Sequence, residues 1–520
     1  MDKPRLLVTT LVAALLASVA VSAAAPGFPT VATDKGPIRG LAVDGMEVFG
    51  GIPYAAPPVG DLRWRPPQEP ARWNGVLDAT RFANHCPQGP SPYGIASLTE
   101  DCLYLNVFTP PKTNKGLPHL LPVMVWIHGG GLFLGESDGY NPSSLVAEGV
   151  VVVTINYRLG ALGVLAHPAL TAESSYRGSG NYGLMDQQAA LRWVQRNIRA
   201  FGGDPENVTI FGESAGGYSV HAQLASPQAA GLFQKAIVES GAYSLTQASL
   251  ATAEAQGMAF ATAAGCADVA CLRALSVAAI LQAGPRSTVF ANIDGFVLTQ
   301  SMQAALTNGQ FNRVPTILGS NHDEWRLFVA QTEKATGAPL TAAGYPGAIA
   351  ALGIPAALVP FLANVAYPLA AYGSPSEALG AVGTDVVFAC NAAKSARLLS
   401  PYVPTFQYEF ADAQAAMLYL PPPISFPTGA YHASELGYLF ALSQTPVPFP
   451  GFTPTQQQLS DTMVSYWAQF AKSGDPNGAG APAWPQYGPS RPFQSLTPPT
   501  PTAGTGTGFL ADHKCSIWGS

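Results

Sequence analysis

Ser214 lies in Val208-Thr-Ile-Phe-Gly-Glu-Ser-Ala-Gly-Gly217, where a short apolar stretch runs into glycine and then into small residues suited to opening a helix. Gly-x-Ser-x-Gly in that setting is the pattern of a strand, a sharp turn and a helix, with the hydroxyl held at the apex. Gly212 and Gly216 let backbone pass close on either side of the serine. The following helix would aim its free N–H groups at negative charge developing on a reacting group. A serine hydroxyl becomes a good nucleophile only when a positioned base takes its proton, and that base needs a carboxylate to fix its tautomer. On a strand-turn-helix scaffold the chain order is serine, acid, histidine. Asp323 and Glu324 follow the apolar run 316–319, and His432 lies in the loop after the run 405–410. Ser214, an acid and His432 therefore stand in the required order; spacing by itself leaves Glu324 and Asp323 both open.

A second glycine cluster, His128-Gly-Gly-Gly131, ends the strongly apolar stretch 122–127. Consecutive glycines allow the backbone to curl so that several N–H groups converge on one point. With the N–H of Ala215, those of Gly130 and Gly131 make a three-donor oxyanion hole, each donor worth about 3 kcal/mol to a transition state. The chemistry open to these residues is acyl transfer through a serine. It needs neither metal nor organic cofactor, and the sequence carries no ligand cluster that calls for one.

The elements that must position these groups follow from the hydrophobic pattern. Stretches 122–127 and 150–155 are apolar without polar alternation, as in central strands of a mainly parallel sheet covered by helices on both faces. Stretches 103–108, 235–240, 316–319 and 405–410 read as further strands. Leu184, Leu191, Val194 and Ile198 share one side of an amphipathic helix over 184–198, and a last helix covers 457–470. Residues 28–48 alternate loosely, like a small leading sheet. The alanine-rich stretch 245–281 and the region 340–399 read as helical, which places cap insertions over the site at about 245–310 and 340–399. The Pro/Thr/Gly segment 497–508 reads as a flexible tether.

The chain of 520 residues is long enough for one large α/β domain, and with 48% hydrophobic residues it is globular. Only 11% of residues are charged, the formal net charge is -6, and no basic tract occurs, which argues against a nucleic-acid partner. Lys3 and Arg5 precede an apolar run from Leu6 to Val21, and Val21-Ser22-Ala23 suits cleavage. Residues 1–23 therefore read as a signal peptide, leaving 24–520 as a single exported domain, periplasmic or secreted, with no further segment read as a membrane span. Six cysteines in an exported chain invite pairing. Cys86 and Cys102 bracket a loop, Cys266 and Cys271 would close a small one, and Cys390 with Cys515 would tie the C-terminal region to the body. Other connectivities stay open on composition alone.

Taken together, Thr99-Glu-Asp-Cys-Leu-Tyr-Leu-Asn106, Val125-Trp-Ile-His-Gly-Gly-Gly131, Asn156-Tyr-Arg-Leu-Gly160, Gly180-Asn-Tyr-Gly-Leu-Met-Asp-Gln187 and Phe211-Gly-Glu-Ser-Ala-Gly-Gly217 resemble the type-B carboxylesterase and cholinesterase family of the α/β-hydrolase fold. They occur in family order and span nearly the whole mature chain. The resemblance implies that fold, and it favours Glu324 over Asp323 as the triad acid, with His432 as the base. It implies the pairs Cys86–Cys102, Cys266–Cys271 and Cys390–Cys515, and buried salt bridges Arg63–Glu100 and Arg158–Asp186 that serve the scaffold. Glu213, Ser240 and Glu435 match residues that support the triad histidine from behind. Two departures bear on substrate. The loop between the first two cysteines offers Tyr93 as its sole aromatic, where choline-binding members carry tryptophan, and Trp325 stands where glycine is more usual.

The activity implied is two-step hydrolysis of small carboxylic esters through an acyl-enzyme, with water as second substrate. Rival readings are an esterase specialised for lipid, phenolic, xenobiotic or toxin esters, an amidase or carbamate hydrolase, and a non-catalytic binding protein on the same scaffold. The intact triad and glycine turn argue against the last. A monomer or weak dimer is expected.

Overall fold

The computed structural model describes residues 28–91, 93–111, 119–284, 290–478 and 480–519, so the signal segment read in residues 1–23 lies outside them. Among the described residues, eleven strands form one sheet. We number them β1 (Leu41–Val43), β2 (Met46–Pro53), β3 (Tyr104–Thr109), β4 (Leu121–Ile127), β5 (Val151–Ile155), β6 (Gly203–Glu213), β7 (Lys235–Glu239), β8 (Thr316–Asn321), β9 (Thr405–Phe410), β10 (Phe493–Leu496) and β11 (Thr502–Gly504). Their spatial order is β1-β2-β3-β5-β4-β6-β7-β8-β9-β10-β11. Every pairing from β5 to β10 is parallel. The flanking strands β1 to β3 and β11 pair antiparallel.

Both faces of the parallel strands are dry, which explains their unbroken apolar runs. Val123, Val125, Ile127, Ile210 and Val238 enter one core with Leu191 and Val194 of the helix Tyr182–Asn197. Met124, Trp126, Phe211 and Ile237 enter the other with Leu459, Met463, Trp467 and Phe470 of the helix Pro454–Ser473. Neighbouring strand residues point to opposite faces, so each strand feeds both cores, and each fully buried Val or Ile contributes roughly 1.5–3 kcal/mol. The helix Pro454–Ser473 is well bounded. Thr453 and Gln456 form a capping box at its start, and Gly474 closes it in the left-handed conformation.

One expectation is overturned. Segment 497–508 is no tether: Thr502–Gly504 pairs with β10 as the sheet's last strand, and Gly506–Asp512 is a helix capped by Thr505. The Pro/Thr/Gly composition was misleading because a short edge strand needs little apolar surface once the cystine Cys390–Cys515 holds the neighbouring chain. The alanine-rich stretch 245–281 is helical as expected, in the helices Leu250–Ala263, Val269–Ala274 and Val277–Ala283, with the first break closed by the cystine Cys266–Cys271. The third cystine joins Cys86 to Cys102.

The two charge pairs stand deep in the scaffold. Arg63 binds Glu100 through Nε (2.7 Å) and Nη2 (2.5 Å), and Arg158 binds Asp186 through Nε and Nη2, both at 2.7 Å. Arg158 Nη1 also donates to the Arg65 carbonyl and Arg63 Nη1 to the Leu275 carbonyl, so every guanidinium nitrogen of both residues has a partner.

Candidate active site

Ser214 sits between β6 and the helix Ala215–Ala225 with φ 56° and ψ −120°. A non-glycine residue there costs on the order of 1–3 kcal/mol, and two hydrogen bonds hold it: Ser214 N–H donates to the Glu239 carbonyl (2.9 Å) and Tyr218 N–H to the Ser214 carbonyl (2.8 Å). The turn is tight because a Cβ at Gly216 would lie 1.9 Å from the Ile127 carbonyl oxygen, against the end of β4. Ser214 is thereby packed onto the strand that delivers the glycine turn.

In that turn Gly130 and Gly131 adopt φ 94° and 64°. The Gly130 carbonyl accepts the N–H groups of Phe133 and Leu134, both at 3.1 Å, while the N–H groups of Gly130 and Gly131 have no hydrogen-bond partner among the described residues. His128 anchors the turn from below. Its Nδ1 lies 2.9 Å from the Gly129 carbonyl, its ring stacks on Tyr157, and burial lowers its pKa to about 4. A neutral, enclosed imidazole of this kind supports the loop and is no competitor for the base.

His432 is the histidine with the right partner. Its Nδ1 lies 2.5 Å from Glu324 Oε2, and its backbone N–H donates to the Glu324 carbonyl. Glu324 is 0% exposed, and its Oε1 accepts the Asn321 N–H at 2.8 Å. The two carboxylates of the Asp-Glu pair point to different partners. Asp323 faces away to Arg326 (3.0 Å), His322 (3.2 Å) and the Ala430 N–H (3.0 Å). Burial opposes its charge, but His322 and Arg326 outweigh this and keep its pKa below the ordinary value.

Around His432 and Glu324 lies a group of buried carboxyls. Glu213 Oε1 is 3.2 Å from His432 Nε2. Burial, reinforced by Glu324 and Glu239, pushes Glu213 well above the usual carboxylate range. Glu435 accepts the amide of Asn321 and is raised by burial and then by Glu213 and Glu324. Ser240 has φ 49° and donates its N–H to the Gly319 carbonyl, but its Oγ finds no partner among the described residues and makes no bond to His432. Sequence reading missed Glu239, whose Oε1 accepts the Trp467 indole N–H at 2.7 Å and whose pKa burial raises to about 8. Its place at the end of β7, next to Ser240, was the available signal. It also missed the aromatic wall on His432, made by Phe388 (4.9 Å between centroids) and Phe328 (5.2 Å).

A serine at a strained strand-to-helix turn, a histidine bonded to a buried glutamate and a glycine turn with free N–H groups, all at the C-terminal ends of parallel strands, define a serine hydrolase of the α/β-hydrolase class. Residues 28–518 match the Carboxylesterase family, and the chain belongs to it. The chain is 38% identical over 482 residues to the para-nitrobenzyl esterase of Bacillus subtilis (strain 168), covering 88% of this chain and 92% of that one. It is 34% identical over 505 residues to the cocaine esterase of Homo sapiens, with 91% and 87% covered. The fumonisin B1 esterase of Sphingopyxis macrogoltabida is 44% identical over 313 residues, 57% of this chain and 56% of that protein. A solved structure of PNB esterase superposes with a TM-score of 0.77 at 33% identity, covering 93% of this chain and 99% of that chain. The protein is a serine carboxylesterase that hydrolyses carboxylic esters.

Proposed function

We propose that Ser214, His432 and Glu324 are the nucleophile, the base and the orienting acid of that hydrolysis. His432 takes the Ser214 proton as Oγ attacks the ester carbonyl, and the oxyanion is held by the N–H groups of Gly130, Gly131 and Ala215. The alcohol leaves with the proton from His432, and water repeats the sequence on the acyl-enzyme. The observation that carries this reading is the 2.5 Å contact of His432 Nδ1 with buried Glu324, which fixes the ring and leaves Nε2 for proton transfer. Burial pushes Glu213 toward its neutral form, which disfavours a fixed anion beside Nε2. The apolar faces of Phe328 and Phe388 on His432 favour uncharged esters. Three cystines support an exported protein.

The test is turnover of aryl and alkyl esters, acetate through palmitate, by wild type and Ser214→Ala side by side. The variant should lose on the order of 10⁶-fold in kcat with unchanged circular dichroism. Turnover surviving in a folded variant would sink the assignment.

A further inference from the structure

Trp325 directly follows Glu324 and opens the helix Arg326–Thr336, yet it takes no part in the proton transfers. Two contacts seat it against the neighbouring segment. Its backbone N–H donates to Thr384 Oγ1 at 3.0 Å. Its indole fills a notch at Gly383, where a Cβ would lie 2.0 Å from Trp325 Cγ. Gly383 has φ −66° and ψ −40°, helical angles open to any residue, and glycine weakens a helix that alanine would support. The missing side chain at Gly383 therefore serves the indole, not the backbone.

From Gly383 the chain continues as the π-helix Thr384–Ala389, a rare winding that is frequent at functional sites. It carries Phe388, whose ring centroid is 4.9 Å from that of His432. Phe328, one turn beyond Trp325 on the same helix face, is 5.2 Å from His432. The Phe328 and Phe388 rings are nearly parallel, 8° apart in plane and 6.2 Å between centroids. Trp325 meets both, at 4.6 Å from Phe328 and 6.3 Å from Phe388. The contact of Glu324 with Nδ1 fixes one corner of the imidazole. Packing on the two phenyl rings then decides its tilt, and with the tilt the place of Nε2.

We infer that Trp325 is a positioning residue for the base: it wedges the helix bearing Phe328 against the segment bearing Phe388, and so sets the tilt of the His432 ring. The inference rests on the role proposed above for His432. A tilted ring moves Nε2 off the line to Ser214 and to the leaving oxygen, which weakens the transition state more than the binding of ester. The loss should therefore fall on kcat.

The experiment compares Trp325→Ala, Trp325→Phe, Gly383→Ala and the double variant Trp325→Ala/Gly383→Ala with wild type on para-nitrophenyl acetate. Circular dichroism and melting temperature check that each is folded. Trp325→Ala should lower kcat about 100-fold, the cost of a misplacement of roughly 1 Å, with KM within about twofold. Trp325→Phe keeps an aromatic wedge and should recover most of the loss. Gly383→Ala drives the indole from its notch and should lose kcat as well, whereas the same methyl added to Trp325→Ala should cost nothing further, because the wedge is already gone. A fold weakened without displacement of the base would show no such coupling in kcat. An unchanged kcat in Trp325→Ala overturns the proposal, as does a rise in KM at unchanged kcat, which would make Trp325 a contact for the ester. Additive losses in kcat overturn it too. Should Trp325→Ala not fold, Gly383→Ala alone carries the test, and an unchanged kcat there is fatal to the proposal. His432→Ala separates the two levels. If acetate turnover survives it, the base is wrong. If turnover depends on His432 while folded Trp325→Ala keeps the wild-type kcat, only the positioning role is wrong.

Discussion

Two buried histidines in this molecule each face two acidic side chains, and the proposed mechanism uses only one of them. His513, in the C-terminal region, has Nδ1 2.7 Å from Asp385 and Nε2 2.6 Å from Glu409. Burial works against its charge, but those two bonds outweigh burial and lift its pKa to about 9. His432 has an equally close partner on Nδ1, Glu324, but its Nε2 meets Glu213 at 3.2 Å, and Glu213 is pushed toward its neutral form. The ring clamped at both nitrogens keeps its proton and braces the fold. The ring clamped at one leaves Nε2 for the proposed reaction. What separates His513 from the proposed base His432 is the second partner, its distance and its ionisation.

That contrast can be broken most sharply at the clamp on His432. Glu324→Gln keeps the volume but allows the wrong tautomer, so kcat on acetate esters should fall by about 10⁴-fold with little change in melting temperature. A fall of less than tenfold would mean that Glu324 does not orient the ring. At the other histidine the effects should be reversed. His513→Ala leaves Asp385 and Glu409 buried without their cation and should cost about 3 kcal/mol or more of stability, read as a lower denaturation midpoint, while acetate turnover of the folded protein persists.

The same group gives a pH dependence of defined sign. The folded pKa of His513 is raised above the ordinary imidazole value of about 6.5, so its stabilisation is complete below about pH 6.5 and is lost as pH rises through about 9. Asp385, itself raised by burial despite His513, offsets part of the gain. The wild-type midpoint should drop across that window, and His513→Ala should flatten the drop. An equally steep drop in the variant would assign it elsewhere. The smallest effect belongs to Glu213→Gln. If Glu213 works as a neutral acid, the amide should cost less than the roughly 100-fold of a lost transition-state donor, whereas a larger loss in kcat would show that its charge is needed.

The two histidines were not equally legible in the sequence. His432 could be found because chain order, strand ends and Gly-x-Ser-x-Gly constrain where a base must lie. The central strands were legible for a related reason: burial on both faces leaves an apolar run that few other structures produce. The choice between Asp323 and Glu324 was not settled by spacing, since adjacent residues on a turn point in different directions and only the resemblance to relatives, then the geometry, separates them. His513, Asp385 and Glu409 share no local pattern; they meet because the last helices fold back onto the segment Thr384–Ala389, from which Phe388 reaches His432. Glu239 was hidden in the same way, its meaning depending on Trp467 far along the chain. The segment 497–508 misled because composition reports the tendency of an isolated stretch, while its strand is imposed by the neighbour it pairs with.

That last strand has a bearing on how the protein behaves among its own copies. A parallel strand such as β10, left bare, would offer its backbone to any passing chain as a template for assembly. Thr502–Gly504 occupies that template with three residues that are too short and too small to recruit another layer. What composition presents as slack is a guard against clumping, and deleting it should be felt first in the test tube as cloudiness, before any change at Ser214.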